Sequence, residues 1–412
     1  MLVTLSLCLF MIGCEKIFPD SYVKHSDAQY FQSTAETNMS MIQLDDTGCY
    51  LYHDGFIYYY DNESSKITPL CSKANCLHDR ESSEEKLHQC NAYLDNKTEW
   101  EAEKPGLFYY EGDLYVLFSS KIHISSSPFA PYDLYRISGD GSSKDKVATL
   151  SRAEFATLHR GYLYYYGQGY NYDGETGVDS EYSVRRISVS DSNPKEEIIF
   201  ALPKGSVPAN YTQILAYGNY IYFSYAYTVS ENGNEKYIHN PYYYNIHDKT
   251  TGILDIAEKD LVSIPDGIFN DRLLFKHCDQ ELEPPESYFA KVNMYSSDFS
   301  GEDIKDTNLL VEQAWFFQSD GKYLYVEDVL SAALYGDKPK TIYVYDSSLN
   351  LVDFYTPPAT DISFINSPIG NEHYQYLLFD EDNEWGIYVW EKSGIGTYHG
   401  STYDQKRVVY QQ

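Results

Sequence analysis

Three cysteines and a histidine fall close together in Cys71-Ser-Lys-Ala-Asn-Cys76-Leu-His78, with Cys90 a little further on. Thiolates and an imidazole are the ligands of a structural Zn²⁺, whose closed tetrahedral shell leaves no position for a substrate. His88 is a second candidate for the nitrogen ligand. The same thiols also suit disulfides if the chain is exported. Beyond Cys14 the cysteines number five (Cys49, Cys71, Cys76, Cys90 and Cys278). This odd count fits a three-cysteine metal site as well as it fits disulfides in which Cys49 or Cys278 takes a partner. The C-x4-C spacing is looser than a C-x2-C knuckle, so zinc and disulfide both stay open.

Chemistry of another kind is expected at Cys14. Residues Leu2 to Gly13 are apolar or small throughout, too few to span a bilayer but enough for the h-region of a signal peptide. Met11-Ile12-Gly13-Cys14 is similar to a bacterial lipobox, in which a small residue precedes a cysteine that takes a diacylglycerol. Met stands where Leu is usual, and no Lys or Arg precedes the apolar run. The expectation is a signal peptide over 1–13, lipid on Cys14, a polar tether over 14–37 and a folded region from 38 to 412. Lipid chains would hold the protein on the outer face of the cytoplasmic membrane, in the cell envelope.

No catalytic signature accompanies these residues. Gly-x-Ser-x-Gly, a phosphate-binding Gly-rich loop and His-Glu-x-x-His are all missing from the sequence. Asp380-Glu-Asp-Asn-Glu384 lacks the alternate-residue spacing of a calcium loop and reads as a solvated hairpin turn. A net charge of −30 excludes nucleic acid as a partner, because cationic side chains supply affinity for phosphate. It equally excludes docking on anionic lipid through a basic face.

The elements that must position these residues repeat. Gly112-Asp-Leu-Tyr-Val-Leu117, Gly161-Tyr-Leu-Tyr-Tyr-Tyr166, Gly218-Asn-Tyr-Ile-Tyr-Phe223 and Gly321-Lys-Tyr-Leu-Tyr-Val326 are copies of one Tyr-rich strand. Each opens a pair with a second alternating strand, such as Leu134–Ile137 or Ile342–Tyr345. Aligning Leu51, Leu114, Leu163, Ile221, Leu273, Leu324 and Leu377 gives spacings of 63, 49, 58, 52, 51 and 53 residues. A period near fifty with period-two alternation and Gly/Asp/Asn punctuation predicts an all-β chain, a β-propeller of seven four-stranded blades. The 44 tyrosines suit strands that are half-buried on a pleated surface. The long first spacing holds the Cys/His-rich insertion, at about 71–93. The third is assigned to a polar loop over 167–180.

Propellers bind at the channel mouth, where loops converge. Tyr170 and Tyr172 in the blade-three loop, and Tyr227 and Tyr237 in the blade-four loop, are therefore the candidates for contact with a glycan or peptide. The reading is a non-catalytic binding protein. The alternatives are a scaffold for other envelope proteins, or a hydrolase or lyase acting on polysaccharide or peptide.

Phe56-Ile-Tyr-Tyr-Tyr-Asp-Asn-Glu-Ser-Ser-Lys-Ile-Thr-Pro-Leu-Cys71, with Cys76-Leu-His78-Asp79 and Cys90-Asn-Ala-Tyr93, resembles lipoproteins of anaerobic Firmicutes with a DUF5050-type domain. That domain is a propeller similar to those of low-density-lipoprotein-receptor-related proteins. The resemblance covers most of the chain and implies a surface-anchored propeller. It brings no catalytic residue with it.

Overall fold

The computed structural model describes residues 21–24, 26–28, 41–95, 105–119, 131–150, 152–172, 178–203, 206–211, 214–231, 234–256, 262–278, 290–312, 316–327, 341–356, 369–381, 384–396 and 406–411. Seven antiparallel sheets succeed one another along the chain, over 42–69, 106–150, 152–201, 207–253, 262–312, 316–355 and 369–409. Each is a four-stranded meander. In blade 4 the first strand is broken into Val207–Tyr211 and Leu215–Tyr217, which pair with the same neighbour. First strands of successive blades touch from blade 1 to blade 6, Tyr355 of blade 6 packs on Trp390 of blade 7, and the first strand of blade 1 meets that of blade 7, so the sheets form a closed ring.

The repeated Tyr-rich segment is the second strand of every blade, where the pairing pattern alone had placed it first of a pair. Leu51, Leu114, Leu163, Ile221, Leu273 and Leu324 are all buried on it. Both of its faces are covered because the blades stack face to face. Leu163 and Tyr165 pack with blade 2, through Phe108, Tyr115 and Leu117, whereas Tyr164 and Tyr166 pack with blade 4, through Ile221, Phe223 and Tyr225. Period-two alternation thus divides one strand between two seams. Tyrosine suits this position, since the ring fills the seam and the hydroxyl reaches a polar group at its edge. The Tyr166 hydroxyl donates to the Ser224 carbonyl (3.1 Å) and that of Tyr222 to the Phe299 carbonyl (2.7 Å).

Among the described residues no strand is exchanged between the first and last blades, and side chains close the ring. Trp385 of blade 7 stacks flat on His53 of blade 1 (4.2 Å, 7°) and packs against Tyr58 at 4.5 Å. The Tyr376 hydroxyl donates to Asn62 across the same seam (2.9 Å). Asp380 contacts His53 at 3.0 Å and lies beside the tip of its hairpin, as the reading of 380–384 as a turn predicts.

Candidate functional site

The insertion leaves blade 1 at the end of its outer strand, Lys66–Pro69, and returns to the same sheet. Leu70 N–H donates to the Ile57 carbonyl, and on return Ile57 N–H donates to Ala92 (2.8 Å) and Leu94 N–H to Gly55 (2.7 Å). Between these two anchors the chain brings together Cys71, Cys76, His78 and Cys90. Their ligand atoms all lie within 4.8 Å of one another, and Cys90 Sγ is 3.7 Å from His78 Nδ1. A tetrahedron with metal–sulfur bonds of ~2.3 Å has edges of ~3.7 Å, so this arrangement is close to a complete four-ligand shell. Asn75 and His78 adopt positive φ (64° and 54°), which folds Cys76 and His78 back over Cys71. Cys90 is placed by the short helix Glu84–Leu87, its N–H donating to Leu87 (2.8 Å).

The surroundings favour a thiolate at Cys71 but not at Cys90, whose proton a metal would have to displace. Burial alone would push the Cys71 thiol up, but N–H donors from Lys73 and Asn91, with the Cys90 and Cys76 thiols, hold it below its ordinary value. Cys90 is pushed up to about 12 by burial, against an opposing N–H from Ala92. Burial also holds His78 below its usual value, in the neutral form that ligates metals. Lys73 Nζ donates to the Gln89 carbonyl (2.5 Å), and Lys144 Nζ donates to the carbonyls of Cys90 (3.1 Å) and Tyr93 (2.7 Å). These two ammonium groups flank a cluster that would be net anionic with three thiolates around a divalent ion. The insertion also cements two blades. Asn91 Nδ2 and Ser72 N–H both donate to the Gly141 carbonyl in the outer turn of blade 2. A Cβ at Gly141 would come within 2.7 Å of the Cys71 nitrogen, so only glycine fits there.

Of the sequence candidates, Cys71, Cys76, His78 and Cys90 are thus brought together. His88 instead packs edge-on to Tyr93 (5.6 Å). Cys49 and Cys278 are buried in strands of blades 1 and 5, and all five described cysteines are free. Cys14 lies outside the described residues.

The four tyrosines proposed for ligand contact are on strands, not loops. The segment 167–180, read as a polar loop, is the outer part of a hairpin between Tyr162–Tyr172 and Val178–Ser188, paired without a break as far as Tyr172 and Val178. Tyr170 and Tyr172 lie on that backbone, and their side chains are outside the described residues. Blade 4 has a similar hairpin, Tyr220–Glu231 with Asn234–Asn245. Tyr227 there is buried in the seam with blade 3, so its ring is core, whereas Tyr237 is 47 % exposed.

A further assembly carries no sequence motif. Residues 21–24 and 26–28, inside the segment expected to be a tether, lie across the first turns of blades 3 and 4. Arg160 Nε donates to Asp27 (2.7 Å) and its terminal nitrogens to Asn219 (2.7 Å), Asp27 and the Ser21 carbonyl. Gly218 N–H donates to Asp27 as well (3.2 Å). His159 Nδ1 accepts the Ala28 N–H (2.8 Å), so Nε2 carries the proton given to the Gly218 carbonyl (2.8 Å) and the ring is neutral. Burial depresses this imidazole to about 4, with Asp27 opposing and Arg160 adding to the effect. The unfolded chain therefore takes up the proton first. Stability is complete above pH ~6.5 and is lost as the pH falls toward ~4, by ~3 kcal/mol for a shift of this size. Urea titrations at pH 7 and 4.5 should show that loss, and His159→Gln should flatten it. An equal loss in the Gln variant would assign the acid sensitivity elsewhere.

The architecture defines the protein as a seven-bladed β-propeller. Its neighbours among solved structures include TolB from Acinetobacter baumannii, at 15 % identity and a TM-score of 0.35, covering 86 % of this chain and 76 % of TolB. Prolyl endopeptidases match at 12 % identity and a TM-score of 0.49, over 88 % of this chain and 47 % of theirs. The GH74 xyloglucanase from Xanthomonas campestris matches at 10 % identity and a TM-score of 0.46, over 88 % of this chain and 52 % of its own. The chain spans about half the length of the latter two. At such identities the likeness concerns the fold alone. No protein-family model matches the sequence, and no curated protein does.

Proposed function

We propose that this protein is a surface-anchored, non-catalytic binding propeller, akin to DUF5050-type lipoproteins, which takes a glycan or peptide at one end of its ring. The observation that supports this most is the pair of long hairpins in adjacent blades. Their strands are 11 and 12 residues long, whereas the central strands of the other blades have 4–8. Four extra residues carry a strand ~13 Å further. In an antiparallel meander the second-to-third turns all lie at one end of the ring. The strap at Ser21–Ala28 is docked on first-to-second turns, at the other end. Cys14 is within ~25 Å of Ser21 even along a fully extended chain. A lipid there would put the strap end toward the membrane and the hairpins outward. In the same reading, one Zn²⁺ on Cys71, Cys76, His78 and Cys90 acts as a structural staple.

The alternatives are less well supported. Ser263 Oγ and His277 Nδ1 lie 2.8 Å apart, but the serine already donates its proton to the Ile256 carbonyl (3.0 Å). His277 is then the donor in that contact and is not poised as a base. For a scaffold, the exposed apolar side chains Ile198, Ile253, Leu310 and Leu351 belong to the outer strands of four different blades, so they do not build one patch.

The test is a glycan and peptide array probed with the region from Glu15 onward. A second sample has 168–182 replaced by Asn-Gly, which closes the blade-3 hairpin as a tight turn. The full hairpin should bind and the short one should lose at least about tenfold in affinity while melting at a similar temperature, as expected when a central contact patch is removed. No binding on either array, or equal binding by both samples, would overturn the reading.

A further inference from the structure

On the strap end of the ring, away from the hairpins, a cleft of about 610 Å³ opens between blades 1 and 2. Its size falls in the range of small-molecule sites. Six side chains shape it: Asp45, Tyr50, Tyr59, Tyr109, Asp113 and Asp140. The aspartates come from the first turns of both blades or their borders and from the third turn of blade 2, all at this end, and the tyrosines from the strands beside them.

The aromatic part is continuous. Tyr50 is 2 % exposed and forms the floor, its ring centroid 5.0 Å from that of Tyr59 and 5.8 Å from that of Tyr109. Tyr59 and Tyr109 are half-buried, and the cleft takes what they leave open. Behind the floor the two turns are in contact, since a Cβ at Gly139 would lie 2.4 Å from the Gly112 carbonyl and 3.1 Å from the Tyr50 hydroxyl. Tyr59 is fixed by its hydroxyl, which donates to Asp45 at 3.0 Å.

The charge in the cleft is negative. Asp45 is held by N–H donors from Thr47 (2.8 Å) and Gly48 (2.7 Å) and by the Tyr59 hydroxyl, none of which neutralises it. Arg136 lies at the side of Asp113 (3.9 Å) and is shared with Asp145 (3.7 Å). Burial, and with it the charge of Asp45, holds the phenols of Tyr50, Tyr59 and Tyr109 above their ordinary value, with the Thr47 hydroxyl opposing at Tyr59. The three rings therefore stay neutral, and their π faces lie in a negative field.

We propose that this cleft binds an organic ammonium ion, with a trimethylammonium group against Tyr59 and Tyr109 and its charge facing Asp45, Asp113 and Asp140. Aromatic faces attract such a cation electrostatically, and its methyl groups bury against them. A neutral sugar would gain the stacking but nothing from the field. The site lies at the opposite end of the ring from the hairpins and does not depend on what they bind.

Calorimetric titration of the full chain with choline chloride tests this. The neutral isostere 3,3-dimethylbutan-1-ol and a methyl glucoside serve as separate arms. Choline should bind at one site, with the isostere at least about tenfold weaker, within the range of a partly desolvated cation–π contact. Tyr109→Leu should weaken choline binding by about tenfold. Asp45→Asn, which keeps an oxygen for the Thr47 and Gly48 N–H groups, should weaken it several-fold. If Tyr109→Leu does not fold, the double variant Asp113→Asn/Asp140→Asn, at a half-buried and an exposed position, carries the same test. Equal binding of choline and its isostere, binding of the glucoside in place of choline, variants that bind like the parent, or no heat with any probe would each overturn the proposal.

Discussion

Replacing Asp27 by alanine is expected to destabilise the protein by about 3–5 kcal/mol, the cost of leaving one partner of a buried ion pair uncompensated. Asp27 and Arg160 have side chains 0 % and 2 % exposed, and the guanidinium lies in the seam between blades 3 and 4. In the variant it would keep Asn219 and the Ser21 carbonyl but lose both carboxylate oxygens. Arg160 also sits at a positive φ of 49°, a conformation that the turn holds only while its contacts persist. Its N–H donates to the Ser26 carbonyl, so the strap and the turn support each other. Urea titration followed by tyrosine fluorescence measures the loss. The double variant Asp27→Leu/Arg160→Met should recover most of it, because an apolar pair of similar volume removes the stranded charge. A small effect of Asp27→Ala would mean that the strap dissociates readily and that Arg160 reaches water.

The ring was legible in the sequence because its most regular element is its most buried one. A strand covered on both faces must place an apolar or aromatic side chain at nearly every position, and Leu163-Tyr-Tyr-Tyr166 does so. The first strands gave no such signal. Ile42–Leu44, Leu215–Tyr217 and Ile369–Gly370 are only two or three residues long, so the Tyr-rich strand stood out as the first of a pair. The hairpin of blade 3 was mistaken for a loop because glycine, asparagine and aspartate mark turns. Gly167 instead makes room for a side chain, since a Cβ there would lie 2.7 Å from Arg185 Cδ. Tyr227 was placed in the blade-four loop, although its strand carries it into a seam. The strap had no sequence signal at all, because Asp27 is one acid among many and its partner lies 133 residues away. The Cys/His group was visible by residue type. What its spacing did not convey is the closure of the insertion by the pairing of Ala92–Leu94 with blade 1, which holds four ligands from a loose C-x4-C within one shell.

That closure gives the second large effect. Protein purified without oxygen is expected to carry about one zinc per chain, and Cys90→Ser is expected to carry none. The site is pre-shaped, with Cys71 receiving two backbone N–H donors and Cys90 one, so little ordering remains when the metal arrives. Metal bound to the folded state alone stabilises by mass action, ~4 kcal/mol when free zinc is a thousandfold above its dissociation constant. Chelation should therefore lower the melting temperature of the parent and leave Cys90→Ser, already low, unchanged. The loss should be felt beyond the insertion. Cys71 and Asn91 lie against Gly141 of blade 2, and Asp79 accepts from the Tyr58 hydroxyl (3.1 Å) beside the seam with blade 7. Hydrogen exchange should consequently rise at both borders of blade 1 in the metal-free protein, with the seam between blades 3 and 4 as the internal control. A disulfide between any two of Cys71, Cys76 and Cys90 in material kept from air, or a metal content near zero, would remove zinc from the reading. The ring would then be held at this seam by hydrogen bonds and packing alone.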